Sequence, residues 1–189
     1  MNIENIRLVS PTADLKNEFL EMVEEYRRTG AQTTYTLGQD LGQILPDDRP
    51  DQAAANFEPY RQRLEDQSKG IGLPEGYTPM TTFWPAHPDR RILGVSRLRH
   101  RLEPPGLIQE GGNIGYDIRL SERGKGYGTI QLALVLEKAA ALGLKRVLLT
   151  CDPDNTASAR VIQKNGGVLE NEIISKLTGG RVARYWIEL

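Results

Sequence analysis

The sequence predicts a single domain of the α/β class, and three observations carry that prediction. From Asn113 to Leu120, apolar and polar residues alternate with the period of a strand that has one apolar face. A glycine-rich turn follows, and from Thr129 to Gly143 the apolar residues recur at helical spacing. The run Lys145–Thr150 is short and apolar, as buried parallel strands are. We therefore expect a strand, a helical crossover and a second strand at the centre of the fold.

Composition excludes several classes of protein. The 189 residues are 39% hydrophobic, enough to bury one sizeable core, and the formal net charge of −1 argues against general nucleic-acid binding. The single cysteine, Cys151, allows no internal disulfide, which suits a reducing compartment. The N-terminus shows no signal peptide, and no stretch approaches 18 apolar residues. We expect a soluble cytoplasmic protein, in one domain over residues 1–189, that binds no membrane.

The N-terminal half is predicted to contain a strand, two helices and a long irregular segment. Residues 3–9 read as a short strand, and a helix with a buried apolar stripe follows and ends near Gly30. Prolines and aspartates predict an irregular segment over 33–50. A second helix is expected over 51–68, weakened or kinked at Pro59, before a glycine-rich loop over 70–76.

The remaining elements are strands joined by turns. We expect strands over 77–85 and 91–102 around a turn at Pro88-Asp89-Arg90, and closing strands over 168–174 and 182–189. Asp154 or Asn155 caps a helix that ends at Asn165-Gly166-Gly167. Gly111-Gly112 and Gly179-Gly180 are placed as hairpin turns are.

Two features of the strand over 91–102 admit two interpretations each. Arg97, Arg99 and Arg101 share one face, which we interpret as a solvated strand face, with an anion site as the alternative. His100 lies on the more apolar face. There a histidine is more often a hydrogen-bonded structural residue than a general base.

The glycine-rich turn has the chemistry of an anion site. Gly124, Gly126 and Gly128 let the backbone approach a ligand closely, and the unpaired N–H groups of the following helix's first turn point at whatever lies on its axis. Arg123 and Lys125 add positive charge. A turn that merely reverses the chain is the alternative. The mononucleotide loop requires Ser or Thr after the lysine, and the dinucleotide fingerprint requires G-x-G-x-x-G; neither fits.

The remaining pattern, Arg-x-x-Gly-x-Gly at Arg123, Gly126 and Gly128, resembles the acyl-CoA pyrophosphate loop of the GNAT superfamily of N-acetyltransferases. A second motif resembles the same superfamily: Asn155-Thr156-Ala157-Ser158 before a short helix, closed by Lys164-Asn165-Gly166. Together the motifs cover a cofactor-binding core of about 91–167. The resemblance implies a central mixed, mostly antiparallel sheet flanked by helices, in which two parallel strands splay apart to admit pantetheine.

The resemblance also implies acetyl-CoA as co-substrate and no metal. Its pyrophosphate is expected on the loop N–H groups, its pantetheine amides on the main chain of Ile118 and Leu120, and its thioester carbonyl on a backbone N–H near Ile118. The implied cofactor-binding residues are Ile118, Leu120, Arg123, Gly124, Lys125, Gly126, Tyr127, Gly128, Thr129, Asn155 and Ser158.

One position departs from the superfamily pattern. Many members carry a tyrosine seven residues after the motif asparagine, near the thioester sulfur, as general acid; here that position is Ile162, which donates no proton. Ser158 is then the first candidate acid, with Cys151 and Tyr116 weaker, unless water protonates the thiolate. The candidates for general base at the substrate end of the strand are His100, Glu110 and Asp117. For Asp117, an ion pair with a nearby arginine is an equal alternative.

The predicted function is transfer of an acetyl group from acetyl-CoA to an amine of a small molecule or peptide, directly within a ternary complex. A non-catalytic acyl-CoA sensor is the main alternative, and a protein that binds some other phosphate ligand is a second. Residues 37–68 hold seven acids against three arginines, which favours a cationic acceptor unless these acids only solvate the surface. The sequence does not distinguish a monomer from a homodimer.

Overall fold

The computed structural model of the chain describes residues 5–31, 35–102, 106–176 and 178–189. Within them the helices are α1 (Lys16–Thr29), α2 (Tyr35–Ile44), α3 (Ala53–Lys69), α4 (Tyr127–Ala141) and α5 (Thr156–Lys164). The strands are β1 (Arg7–Val9), β2 (Met80–Ala86), β3 (Gly94–Arg99), β4 (Ile114–Ile118), β5 (Arg146–Cys151), β6 (Val168–Ile174) and β7 (Arg181–Glu188). The predicted α/β class is confirmed.

The strands form two antiparallel sheets. The first has the order β1-β2-β3-β4 and the second the order β5-β7-β6, so β4 and β5 are the facing edges. These two edges meet where Asn113 N–H donates to the Leu148 carbonyl at 2.6 Å and Leu148 N–H donates to Asn113 Oδ1 at 2.8 Å. Among the described residues no ladder joins β4 to β5. The two strands therefore separate beyond that junction and leave a cleft.

Two apolar clusters support the sheets. In the first, α1 and α3 pack on β2 through stacked aromatic rings: Phe19 lies 4.6 Å from Trp84 and 5.3 Å from Tyr60, centroid to centroid. In the second, α4 and α5 pack on the opposite face, where Leu132 and Ile162 are fully buried. Burial of both helix faces holds the two edge strands in place without a ladder between them.

Several element predictions need correction. The segment over 35–44, expected to be irregular, is helix α2, because Leu37, Ile44 and the partly buried Leu41 pack into the first cluster. The prolines act only after it, in short 3₁₀ turns at Pro46–Asp48 and Pro50–Gln52. Gly111-Gly112 is not a simple hairpin turn, since a π-type turn, Leu107–Gly111, precedes β4. Residues 3 and 4 of the predicted strand over 3–9 lie outside the described residues. So do residues 33 and 34 of the segment over 33–50.

The other elements differ from expectation only at their ends. The strand expected over 91–102 pairs only from Gly94 to Arg99, with Ile92 in an isolated bridge to Ala86. Pro59 is accommodated within α3. The turn at Gly179-Gly180 joins β6 to β7 as predicted.

Candidate active site

The glycine-rich turn connects β4 to the start of α4. The strand ends at Ile118, a 3₁₀ turn covers Leu120–Glu122, and α4 begins at Tyr127 with Gly126 as its N-cap. Gly124 and Gly126 have φ of +77° and +87°, and a Cβ built on either would meet nothing within 4 Å. The space in front of the helix N-terminus is therefore open at both glycines.

The two cations of the turn are paired with carboxylates. Lys125 Nζ lies 2.9 Å from Glu122 Oε2, and Arg123 donates to Asp117 Oδ1 at 2.9 Å. Burial raises the pKa of Glu122, but its hydrogen bonds from Lys125 and Arg91 outweigh burial and the net pKa is lowered. The positive charge of both side chains is therefore partly offset, which leaves the backbone N–H groups and the helix dipole as the other sources of positive potential at this turn.

The third glycine of the motif serves helix packing. A Cβ at Gly128 would lie 3.2 Å from Val161 Cγ2 and 3.7 Å from Ile118 Cγ1. The side chain of Tyr127 is buried and its hydroxyl lies 3.0 Å from His87 Nε2, a contact that the sequence did not indicate. Gly128 and the side chain of Tyr127 are therefore packed inside the protein, and only the main chain of these two residues is available to a ligand.

The main chain of β4 offers an open edge toward the cleft. Hydrogen bonds of Arg99 N–H to Asn113 and of Arg119 N–H to Leu93 set the ladder with β3. Because such a ladder alternates, Tyr116 and Ile118 point their N–H and C=O groups away from β3. No side chain of the described residues is hydrogen-bonded to the main chain of Tyr116.

The main chain of Ile118, by contrast, is already hydrogen-bonded. Its N–H donates to Asp117 Oδ1 at 2.8 Å, and its carbonyl accepts from the Tyr26 hydroxyl at 2.7 Å and from Arg123 Nε at 3.1 Å. Leu120, expected to pair with pantetheine, lies in the 3₁₀ turn, where its carbonyl accepts from Arg123 N–H. The backbone of Leu120 is therefore not extended, and it does not offer the strand-like pairing to pantetheine that was expected.

Two hydroxyl groups meet across the cleft. Tyr116 OH on β4 lies 3.0 Å from Ser158 Oγ on α5, and Cys151, at the end of β5, lies near Ser158. Burial raises the pKa of Tyr116 to about 12 and raises the pKa of Cys151 as well. Three of the proposed acid candidates are thus neighbours, and the tyrosine and the thiol keep their protons at neutral pH.

The remaining α5 positions have structural roles. Asn155 Oδ1 accepts from Ser158 N–H at 3.0 Å, so this side chain caps α5 and holds Ser158 in place. Ile162 is fully buried, and a Cβ at Gly167 would lie 2.3 Å from its Cγ2. The packing around Ile162 leaves no space on that side for the ring that many superfamily members carry.

The structure does not bring the candidate bases to the hydroxyl pair. His100 Nε2 lies 2.8 Å from Thr81 Oγ1 on β2, two strands away from the cleft, and burial lowers its pKa. Asp117 is buried and ion-paired with Arg123. Glu110 accepts hydrogen bonds from Ser175 Oγ and Lys176 N–H, across the second sheet.

The arginine stripe is a solvated face only at Arg101, which is exposed, whereas Arg99 is half-buried. Arg97 is buried and pairs with Asp40 on α2, which is fully buried, while its other terminal nitrogen donates to Gln39 at 2.6 Å. Burial raises the pKa of Asp40 to about 6, against the opposing effect of Arg97. Arg99 donates to the carbonyls of Gly111 and Gly112 at 3.1 and 3.0 Å. Arg97 therefore neutralises a buried carboxylate of the fold and does not form an anion site.

Most of the acids counted over 37–68 have partners. Besides Asp40, ion pairs engage Asp51, Glu58 and Glu65, with Arg49, Arg61 and Lys69 as the cations. Four of the seven acids are therefore ion-paired. Arg49 and Arg61 were already in the count of arginines, so the acidic rim predicted from composition is weakened further only by Arg97 and Lys69.

Helix α2 packs against β4 on the face of the strand opposite to the Tyr116 side chain. A Cβ at Gly115 would fall 2.3 Å from Thr36 Oγ1, so the first turn of α2 covers the residue that precedes Tyr116. This helix was not predicted from the sequence, although Leu37, Leu41 and Ile44 stand at helical spacing. No group of histidine, cysteine and carboxylate side chains suited to a metal ion is found in the described part of the chain. None of the described helices combines the length and apolar character needed to cross a membrane.

The chain was compared with known proteins. A family model described as an acetyltransferase (GNAT) domain matches residues 14–168. A search of curated proteins gave no match. Similar solved structures include a microcin self-immunity acetyltransferase in complex with acetyl-CoA and AMP, at 15% identity and TM-score 0.66, covering 98% of this chain and 93% of that one.

Two further structures have the same fold. A ribosomal-protein alpha-N-acetyltransferase in complex with coenzyme A is 18% identical, with TM-score 0.65, and the match covers 98% of this chain and 95% of that one. A spermidine N-acetyltransferase chimera from Vibrio cholerae is 14% identical, with TM-score 0.60, and covers 98% and 96%.

Proposed function

This chain belongs to the GNAT acetyltransferase family and is an N-acetyltransferase that uses acetyl-CoA, and we propose that it acetylates its acceptor amine directly in the cleft between β4 and β5. The observation that carries the proposal is the sequence of open groups along one edge. The loop that follows β4 is unobstructed at Gly124 and Gly126. Within β4, the main chain of Tyr116 is open, and the Tyr116 side chain forms the hydroxyl pair with Ser158. That order matches a ligand with phosphates at one end and a thioester at the other.

Residue roles follow from these positions. The N–H groups from Gly124 to Gly128 would hold the pyrophosphate, because a helix N-terminus favours negative charge. The N–H groups of Arg123 and Thr129, also expected to contribute, donate instead to the carbonyls of Leu120 and Gly126. Tyr116 N–H would donate to the thioester carbonyl oxygen and stabilise the oxyanion as the amine nitrogen forms its bond to carbon. Acetyl-CoA supplies the activated acyl group in this reaction.

Ser158 is the proposed general acid. Its hydroxyl would give a proton to the sulfur as the carbon–sulfur bond breaks, the neighbouring Tyr116 hydroxyl, at 3.0 Å, would donate a hydrogen bond to the resulting alkoxide, and solvent water would return the proton to Ser158. The Asn155 cap fixes the backbone of Ser158. The amine must lose its own proton, and since His100 and Asp117 are engaged elsewhere, we propose that water accepts it.

The proposed acceptor is an amine of a small molecule or peptide. Ion pairs offset four of the seven acids of the α2–α3 segment, so the remaining negative charge gives this surface only a weak preference for cationic amines. The structural neighbours include a ribosomal-protein N-acetyltransferase and a spermidine N-acetyltransferase, so both kinds of acceptor are compatible with this fold. The single cysteine, protonated and half-buried, suits the cytoplasm, where we propose that the protein acts.

A turnover assay tests the proposal. The protein is incubated with acetyl-CoA and a panel of polyamines, aminoglycosides, amino acids and peptides, while CoA release is followed with a thiol reagent and products by mass spectrometry. We expect CoA release that depends on one class of amine. Tight acetyl-CoA binding without release for any amine would support the sensor alternative, and displacement of labelled acetyl-CoA by nucleotides would support a different phosphate ligand.

A further inference from the structure

Helix α1 is hydrogen-bonded to the cofactor loop by side chains that the proposed reaction does not use. Tyr26, in the last turn of α1, is buried, and its hydroxyl donates to the Ile118 carbonyl at 2.7 Å, 92 residues later in the chain. The same hydroxyl lies 3.2 Å from Asp117 Oδ1, and Arg123 donates to it at 3.3 Å. The hydroxyl is therefore the meeting point of strand β4 and the first residue of the loop.

Asp117 and Arg123 complete this arrangement. The Asp117 carboxylate, 4% exposed, accepts from Ile118 N–H at 2.8 Å and from Arg123 at 2.9 Å. Arg123 also donates from Nε to the Ile118 carbonyl at 3.1 Å, and its guanidinium lies 5.7 Å from the Tyr26 ring centroid. We call Tyr26, Asp117 and Arg123 the clasp.

The preceding residue of α1 binds the same connection. Glu25 accepts from Ser121 N–H at 2.6 Å and from Arg119 Nε at 2.8 Å, and Arg119 is 4% exposed. Two consecutive residues of α1 therefore hold the chain on both sides of Leu120. This fixes where β4 ends and where the glycines begin.

We propose that Tyr26 is a positioning residue for the acyl-CoA loop. In this proposal Asp117 is part of the clasp and does not act as the general base for the amine. The inference rests on the proposed function of the loop. Phosphate binding by backbone N–H groups requires that they converge before the ligand arrives, since otherwise ordering the loop costs free energy on binding. The glycines make this loop flexible, so the order must come from outside it. The clasp supplies that order from α1.

The test compares two buried tyrosines. Tyr26→Phe removes the clasp hydroxyl, and Tyr60→Phe removes an equally buried hydroxyl on α3 that lies beside Asp40, away from the loop. Calorimetry with acetyl-CoA should show roughly tenfold weaker binding for Tyr26→Phe, about 1.4 kcal/mol, and unchanged binding for Tyr60→Phe. In the ligand-free protein, amide hydrogen exchange from Ser121 to Thr129 should accelerate in the first variant only.

Steady-state kinetics separate positioning from catalysis. Asp117→Asn should raise the KM for acetyl-CoA about fivefold to tenfold with kcat and the acceptor KM little changed. A large fall in kcat with unchanged KM would instead make Asp117 a base and overturn the clasp. Wild-type affinity in Tyr26→Phe, or an equal loss in Tyr60→Phe, would overturn the role of Tyr26 while leaving the cofactor assignment intact. Absence of acetyl-CoA binding by the wild-type protein would overturn both.

Discussion

The cofactor loop and the α2–α3 segment illustrate two kinds of sequence signal. In the loop, from Arg123 to Thr129, the motif predicted a glycine turn at a helix N-terminus, and the structure has that geometry. In the α2–α3 segment, a count of acids predicted an acidic rim, and four of the seven acids are paired within the fold. A local backbone pattern carries its own geometry, whereas a charge count does not say which charges meet.

The largest expected effect comes from the buried pair of the α2–α3 region. Asp40→Ala leaves Arg97 buried without its carboxylate, which should lower the free energy of unfolding by about 3–5 kcal/mol. Asp51→Ala, in an exposed pair with Arg49, should change it by less than about 0.5 kcal/mol. Urea denaturation of both variants measures this difference. Similar changes in the two variants would mean that Asp40 contributes no more to the free energy of unfolding than a surface acid does.

The next effect concerns the hydroxyl pair. Ser158→Ala should lower kcat about a hundredfold, and Tyr116→Phe about tenfold, because the first removes the proton donor and the second its partner. Ser68→Ala, which removes a hydroxyl at the end of α3, is the control. Wild-type kcat in Ser158→Ala would rule out this serine as the acid.

The pH profile separates these roles further. Because burial raises the pKa of Tyr116 to about 12, its hydroxyl stays protonated over the range of about pH 6 to 10. The profile of kcat/KM in Tyr116→Phe should therefore keep the wild-type midpoints at lower amplitude. A basic limb that disappears in this variant would show that Tyr116 ionises during turnover.

A pair of glycines tests the loop with backbone strain held constant. Gly126 and Gly143 have φ of +87° and +83°, and a Cβ on either meets nothing within 4 Å. Alanine costs similar strain at both positions, but only at Gly126 would it occupy the phosphate space. We expect acetyl-CoA affinity to fall at least tenfold, about 1.4 kcal/mol, in Gly126→Ala and to stay unchanged in Gly143→Ala. Calorimetry that shows equal affinities would place the phosphates elsewhere.

The smallest effect concerns salt. With most of the acids over 37–68 already paired, the KM for the best amine should change less than about twofold between about 0.05 and 0.5 M salt. The KM for acetyl-CoA, measured in parallel, reports how salt acts on the phosphate site. A severalfold rise in the amine KM alone would restore the acidic rim, and acetylation of acidic amines only would contradict it.

The prediction of the helix and strand order succeeded where apolar periodicity is local. The crossover from β4 through α4 to β5 was visible as alternation, a glycine turn, helical spacing and an apolar run. Helix α2 was missed because the prolines and aspartates from Pro46 onward were assumed to make the preceding residues irregular as well. Leu37 and Ile44 gain their helical state from tertiary burial, which no local propensity records.

By itself, the sequence determined the family, the glycine-rich turn before α4 and the position of Ser158 at the start of α5, because each depends on residues that are neighbours along the chain. Only the tertiary structure decided what the charged and hydroxyl side chains do. Asp117 pairs with Arg123 under Tyr26, and Arg97 lies inside the protein against Asp40. The physical reason is that a side chain's partner, burial and pKa depend on groups brought near it by folding, often tens of residues away.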